Sequence, residues 1–111
     1  HPLVVPRIRS YLSKDLGLGD ETTAKWLNHW SDQSLKIFNE RLEKEPQTGI
    51  YCHGDQPGMA DIALASQVIG ATGFFGCNLA SYPKVQLIFE ELCKIEAFES
   101  SLPKHQPGAP T

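Results

Sequence analysis

Gly54-Asp55-Gln56-Pro57-Gly58-Met59-Ala60-Asp61-Ile62-Ala63-Leu64-Ala65-Ser66-Gln67-Val68-Ile69-Gly70-Ala71-Thr72-Gly73-Phe74-Phe75 is the stretch that decides the fold. It opens on turn formers (Gly54, Asp55, Pro57, Gly58) and becomes an apolar run from Met59 that is too long for a strand. Apolar residues fall on almost every face of the helix this run would make, so the expectation is a central helix buried on all sides. With Gly58 as N-cap, Asp61 stands at the third helical position. There its carboxylate can accept the Gly58 backbone N–H and sits near the positive end of the helix dipole. Glycine keeps the geometry of a cap and forgoes only the reciprocal side-chain bond. Gly58 and Asp61 therefore read as a structural cap rather than as catalytic groups.

Upstream, Val5, Ile8, Tyr11 or Leu12, and Leu16 recur at helical spacing, with Gly17 placed to end the helix. A long helix is predicted from Thr22 or Thr23, which can cap it, to Glu43 or Lys44. Its apolar stripe reads Leu27, Trp30, Ser34, Ile37, Phe38 and Leu42, and the Trp26–Trp30 pair, four residues apart, is expected to pack in the core. Pro46 and Gly49 end it, and Ile50-Tyr51-Cys52 forms a short extended lead into the central helix. Downstream comes a loop from Gly73 to Ser81. A helix capped by Ser81 or Tyr82 follows, with Pro83 at its first position and Val85, Ile88, Phe89, Leu92 and Ile95 as the buried stripe. A last turn over Glu96–Ser101 carries Phe98, and the proline-rich tail of about 102–111 is expected to be extended. No repeat and no strand-like alternation appears. The fold class is all-α, a bundle around a buried central helix.

With 111 residues, 41% hydrophobic and 21% charged, the chain suits one globular domain and is short for two. A net charge of −3 without a Lys/Arg cluster argues against nucleic acid as a partner. No apolar run reaches the length of a membrane span, and no signal-peptide pattern opens the chain. Cys52, Cys77 and Cys93 are odd in number and lack a C-x-x-C spacing, which fits reduced thiols in a cytoplasmic setting. His1, His29, His53 and His105 are scattered without metal-ligand spacing, so no metal is expected. The chain starts on His1-Pro2 rather than methionine, as a piece of something longer would.

The order of signals is more specific than the composition. His1-Pro2-Leu3, Tyr51-Cys52-x-Gly54-Asp55, Met59-Ala60-Asp61, Ser66-Gln67-Val68, Tyr82-Pro83, Glu96-Ala97-Phe98 and Gln106-Pro107 occur in sequence along the whole chain. The pattern resembles the C-terminal helical domain of glutathione transferases, and within them the zeta class, whose best-known activity is maleylacetoacetate isomerase. The Ala60-Asp61 element is general to the superfamily; Gln67-Val68 and Gln106-Pro107 are the zeta-like parts.

This resemblance implies a glutathione-dependent enzyme whose N-terminal thioredoxin-like domain, absent from this chain, activates the thiol. It also implies a homodimer, and an isomerisation by thiol addition to a cis-enedione, rotation and loss of the thiol. It places no catalytic residue in this domain. His1 matches a position that reaches glutathione in the family, and Arg7 matches one tied to the ligand site. Val5 and Pro6 stand where the family has Asn-Leu, so position 5 offers no side-chain hydrogen bond. Gly73 stands where the family's isomerases carry the arginine that pairs with the substrate carboxylate, which opens the alternative of a transferase for a less anionic electrophile. A further alternative is a non-catalytic helical interaction module, as found in translation-elongation and tRNA-synthetase assemblies.

Overall fold

The computed structural model describes residues 3–73 and 77–109. Helix α1 (Pro6–Ser10) starts where the periodicity predicted. Val5 is extended before it, and Pro6 takes the first helical position, where a missing N–H costs nothing. The helix widens into a π turn over Tyr11–Asp15, and Gly17, at φ 66, ends it in the left-handed conformation. Leu12 is buried, whereas no side chain of α1 itself is.

Helix α2 (Asp20–Lys44) begins earlier than the Thr22 or Thr23 start expected, with Gly19 as N-cap and Thr23 N–H bonded to the Gly19 carbonyl at 3.0 Å. Asp20 and Glu21 thereby occupy the first turn, where carboxylates complement the dipole, and Thr23 turns inward. The buried stripe also differs from the expectation, running Thr23, Leu27, Ser31, Leu35, Asn39, Leu42. Ile37 is 63% exposed because it lies two residues, about 200° of rotation, beyond Leu35. Apolarity alone suggested Ile37; packing favours the i, i+4 progression, even through Ser31 and Asn39.

Helix α3 (Met59–Gly73) packs mainly on α2 and α4 and buries Asp61, Leu64, Ala65, Val68 and Ala71. Burial on every face, as expected from the composition, is not what the structure shows. Met59 is 80% exposed and Ile62 61%, and Ala63 and Ser66 are also exposed. The described residues surround only one side of α3, so its apolar outer face stands open.

Helix α4 (Pro83–Cys93) contributes Val85, Ile88 and Leu92 to the centre of the core, together with Leu35, Leu64 and Val68. Its N-cap, Tyr82, makes no side-chain capping bond. Asn39 of α2 supplies one instead: its Oδ1 accepts the N–H groups of Lys84 and Val85 at 2.9 and 3.1 Å. These are two of the orphan donors that a capping side chain normally satisfies. Helix α5 (Glu96–Ser101) brings Phe98 edge-on to Phe89, 6.3 Å between centroids. Pro103–His105 then forms a 3₁₀ turn, and Gln106 bonds back to the Ser100 carbonyl at 3.1 Å.

Candidate functional site

The cap at the start of α3 is a buried anchor. Asp61 is 1% exposed; its Oδ2 accepts the Gly58 N–H at 2.8 Å, and its Oδ1 accepts the Cys52 N–H at 2.9 Å. The second bond ties the 46–57 loop to the helix it precedes. That loop is tight: a Cβ on Gly49 would come within 2.7 Å of the Gly54 carbonyl oxygen, so only glycine fits.

Of the residues that the resemblance assigns to ligand binding, Val5, Pro6 and Arg7 are consecutive at the start of α1. Val5 is half-buried, while Pro6 and Arg7 are exposed. Arg7 makes no ion pair among the described residues, so its guanidinium is available to an anion. His1 lies outside the described residues. At Gly73, the last residue of α3, no described residue approaches within 4 Å of where a Cβ would stand, and the position is uncharged.

The first half of α2 gathers the segments that carry these positions. Trp26 Nε1–H donates to the Leu3 carbonyl at 2.8 Å, fixing the chain just before Val5. Asn28 contacts Cys77 Sγ at 3.8 Å, and the Tyr82 hydroxyl donates to Asp32, so Cys77 and Tyr82 are tied to the same stretch of helix. Sequence reading missed Asn28, Asp32 and the Tyr82 hydroxyl. Their only signal is two polar residues four apart on α2, which is equally the mark of a solvated face. Trp26 and Trp30 meet edge to face at 5.9 Å, with His29 edge-on to Trp30 at 4.8 Å. Both indoles are only half-buried and stand outside the central core cluster, contrary to the expected core packing.

No thiol of the chain is poised as a nucleophile. Burial, reinforced by the neighbouring Asp61 carboxylate, pushes Cys52 up to about 12. Burial also raises Cys77, beside Asp32, and Cys93, near Glu99. Tyr82 is held protonated by burial and by its bond to Asp32. Among the described residues no cluster of His, Cys, Asp and Glu is suited to a metal ion, and no helix is long and apolar enough to cross a membrane.

Apolar clefts flank α3 among the described residues, and two of them bear on the site. One of about 180 Å³ lies against α2, between Leu35, Phe38, Ala63, Gln67 and Ala71. The other, about 620 Å³, is an open trough lined by Met59, Ile62, Leu92, Ile95 and Phe98.

Comparison with known proteins gives this arrangement a class. No protein-family model matches the chain. Its backbone superposes over its full length, at a TM-score of 0.94 and 40% identity, on 51% of a maleylacetoacetate isomerase from Methylobacterium extorquens AM1, solved with bound malonate and glutathione. It matches a bacterial maleylpyruvate isomerase of the zeta class, in its holo form, at a TM-score of 0.92 and 29% identity, covering 99% of this chain and 51% of that one. A probable maleylacetoacetate isomerase of Vibrio cholerae is 34% identical over 109 residues, 98% of this chain and 49% of the relative. The fold is thus the C-terminal helical domain of the glutathione transferase superfamily. Within it, the chain is a homologue of the zeta-class maleylacetoacetate and maleylpyruvate isomerases, matching their C-terminal portion. It spans about half the length of these relatives.

Proposed function

We propose that this chain is the helical domain of a glutathione-dependent isomerase that converts a cis-enedione such as maleylacetoacetate to its trans isomer in phenylalanine and tyrosine breakdown. The observation that carries this reading is the full-length superposition on the matching half of an isomerase whose structure holds glutathione. The chemistry of the chain fits it. With all three thiols raised by burial, none of them supplies a thiolate near neutral pH, so the reactive sulfur comes from elsewhere. Glutathione, when bound, supplies that sulfur.

In this reading His1, Val5, Pro6 and Arg7 form the rim that the helical domain presents to glutathione and substrate. Arg7 offers a cation for a carboxylate. Val5 and Pro6 contribute shape and backbone only. The thiol is activated by a thioredoxin-like domain of the same parent chain, and the open apolar face of α3 supports a second domain lying over it. The working unit is a cytoplasmic homodimer.

Gly73 favours a second reading, a zeta-like transferase acting on a less anionic electrophile, because no side chain there can meet a carboxylate. One experiment separates the two: glutathione-dependent isomerisation of maleylacetoacetate and maleylpyruvate by the intact protein, beside Gly73→Arg. Among the described residues nothing stands close enough to a Cβ at Gly73 to bar the arginine. Turnover by the native protein upholds the isomerase. Conjugation without isomerisation, with isomerase activity appearing only in Gly73→Arg, upholds the transferase. Inactivity in both assays overturns both in favour of a binding module.

A further inference from the structure

Helix α1 is weakly built for the task given to its first residues. It is five residues long and fully buries none of them, with Ile8 and Ser10 half-buried, and the first buried side chain is Leu12 in the π turn that follows. Val5, Pro6 and Arg7 therefore sit on a lever about 8–10 Å from that pivot. Among the described residues, the far end is tied to α2 by the bond from Trp26 Nε1–H to the Leu3 carbonyl, 2.8 Å long and spanning 23 residues. The indole is itself fixed: it stands on α2, half-buried, with Trp30 edge-on at 5.9 Å. A phenylalanine could fill the same space but has no N–H to donate.

We infer that Trp26 is a positioning residue for glutathione: it acts through Leu3 to hold the Val5-Pro6-Arg7 segment at the ligand rim. This rests on the functional reading above and adds to it a residue that acts through Leu3 rather than by contact with thiol or substrate. Freed of the bond, the segment swings about Leu12. A tilt of about 10° over a lever of that length displaces Val5 by about 1.5 Å, enough to loosen contacts with a bound tripeptide. Reaction at saturating glutathione is affected far less, because the ligand then reorders the segment.

The test uses the intact protein with Trp26→Phe, and Trp30→Phe as the control that keeps the Leu3 bond. Glutathione affinity by calorimetry and KM for glutathione are expected to worsen about 3- to 10-fold in Trp26→Phe, the range a single lost hydrogen bond explains, with kcat within about twofold. Trp30→Phe is expected to keep the native KM. Equal KM in native protein and Trp26→Phe, or a fall in kcat and stability with KM unchanged, overturns the positioning role. A readout that needs no variant is solvent exchange of the Trp26 indole N–H, expected to slow when glutathione binds; exchange indifferent to glutathione also overturns it. Native protein that binds no glutathione overturns the functional reading together with this inference, whereas binding that is unmoved by Trp26→Phe overturns only the inference.

Discussion

Asp61 and Asn39 show what one buried polar side chain does when its partners are backbone amides. Asp61 satisfies two N–H groups six residues apart in sequence, those of Cys52 and Gly58, from a fully buried site. Asp61→Ala leaves both amides without an acceptor inside the protein and is expected to cost about 2–4 kcal/mol, read as a lowered denaturant midpoint. Asp61→Asn, which keeps an acceptor oxygen, is expected to cost less. Asn39 caps α4 through its Oδ1 while its Nδ2 bonds Glu43 at 3.1 Å. Asn39→Ala is expected to cost about 1–2 kcal/mol by the same measurement; an unchanged midpoint would mean that water replaces the cap. The Asp61–Gly58 bond was legible from spacing, because both partners lie within one turn. The Cys52 bond and the Asn39 cap were not, since the first depends on how a loop folds back and the second joins residues 45 and 46 positions apart.

At the scale of elements, the C-terminal end illustrates stability that depends on charge. Glu99 accepts from His105 Nε2 at 3.2 Å and pairs with Lys104 at 3.0 Å, linking α5 to the 3₁₀ turn. The bond to His105, then that to Lys104, holds its carboxyl below the usual carboxylate range. A lowered folded pKa means that the contribution is fully present above the ordinary carboxyl pKa and is lost as pH falls through the lowered one. Backbone amides of 103–106 are accordingly expected to lose exchange protection on acidification through that window, before the core amides of α4 do. The same scale shows why helix existence was easier to read than helix faces. Length, proline and glycine placed the helices, but the buried side of α2 runs through Thr23, Ser31 and Asn39, whose polarity points outward until their neighbours are known. Periodicity gives the rim residues no ligand role (it reads Val5 only as part of a helix stripe), so only resemblance could propose them for binding.

As a whole the domain is a slab, 46 × 36 × 22 Å, with a radius of gyration of 15.3 Å where a compact chain of this length has about 13 Å. A slab about two helices thick cannot enclose α3, which accounts for the open face at Met59 and Ile62. Ile62→Glu tests what covers it. In the 111-residue chain the substitution is expected to change stability by less than about 0.5 kcal/mol. In a protein that includes a second domain it is expected to cost about 2 kcal/mol or more, by burying a charge. Equal effects in the two would remove the open face as support for a covering domain. The borrowed cap on α4 has a consequence at this scale too. The first turn of α4 is completed by a residue of α2, so α4 reaches its full stability only when α2 stands beside it. Two helices distant in sequence are thereby coupled, α2 serving as the template on which the start of α4 is finished.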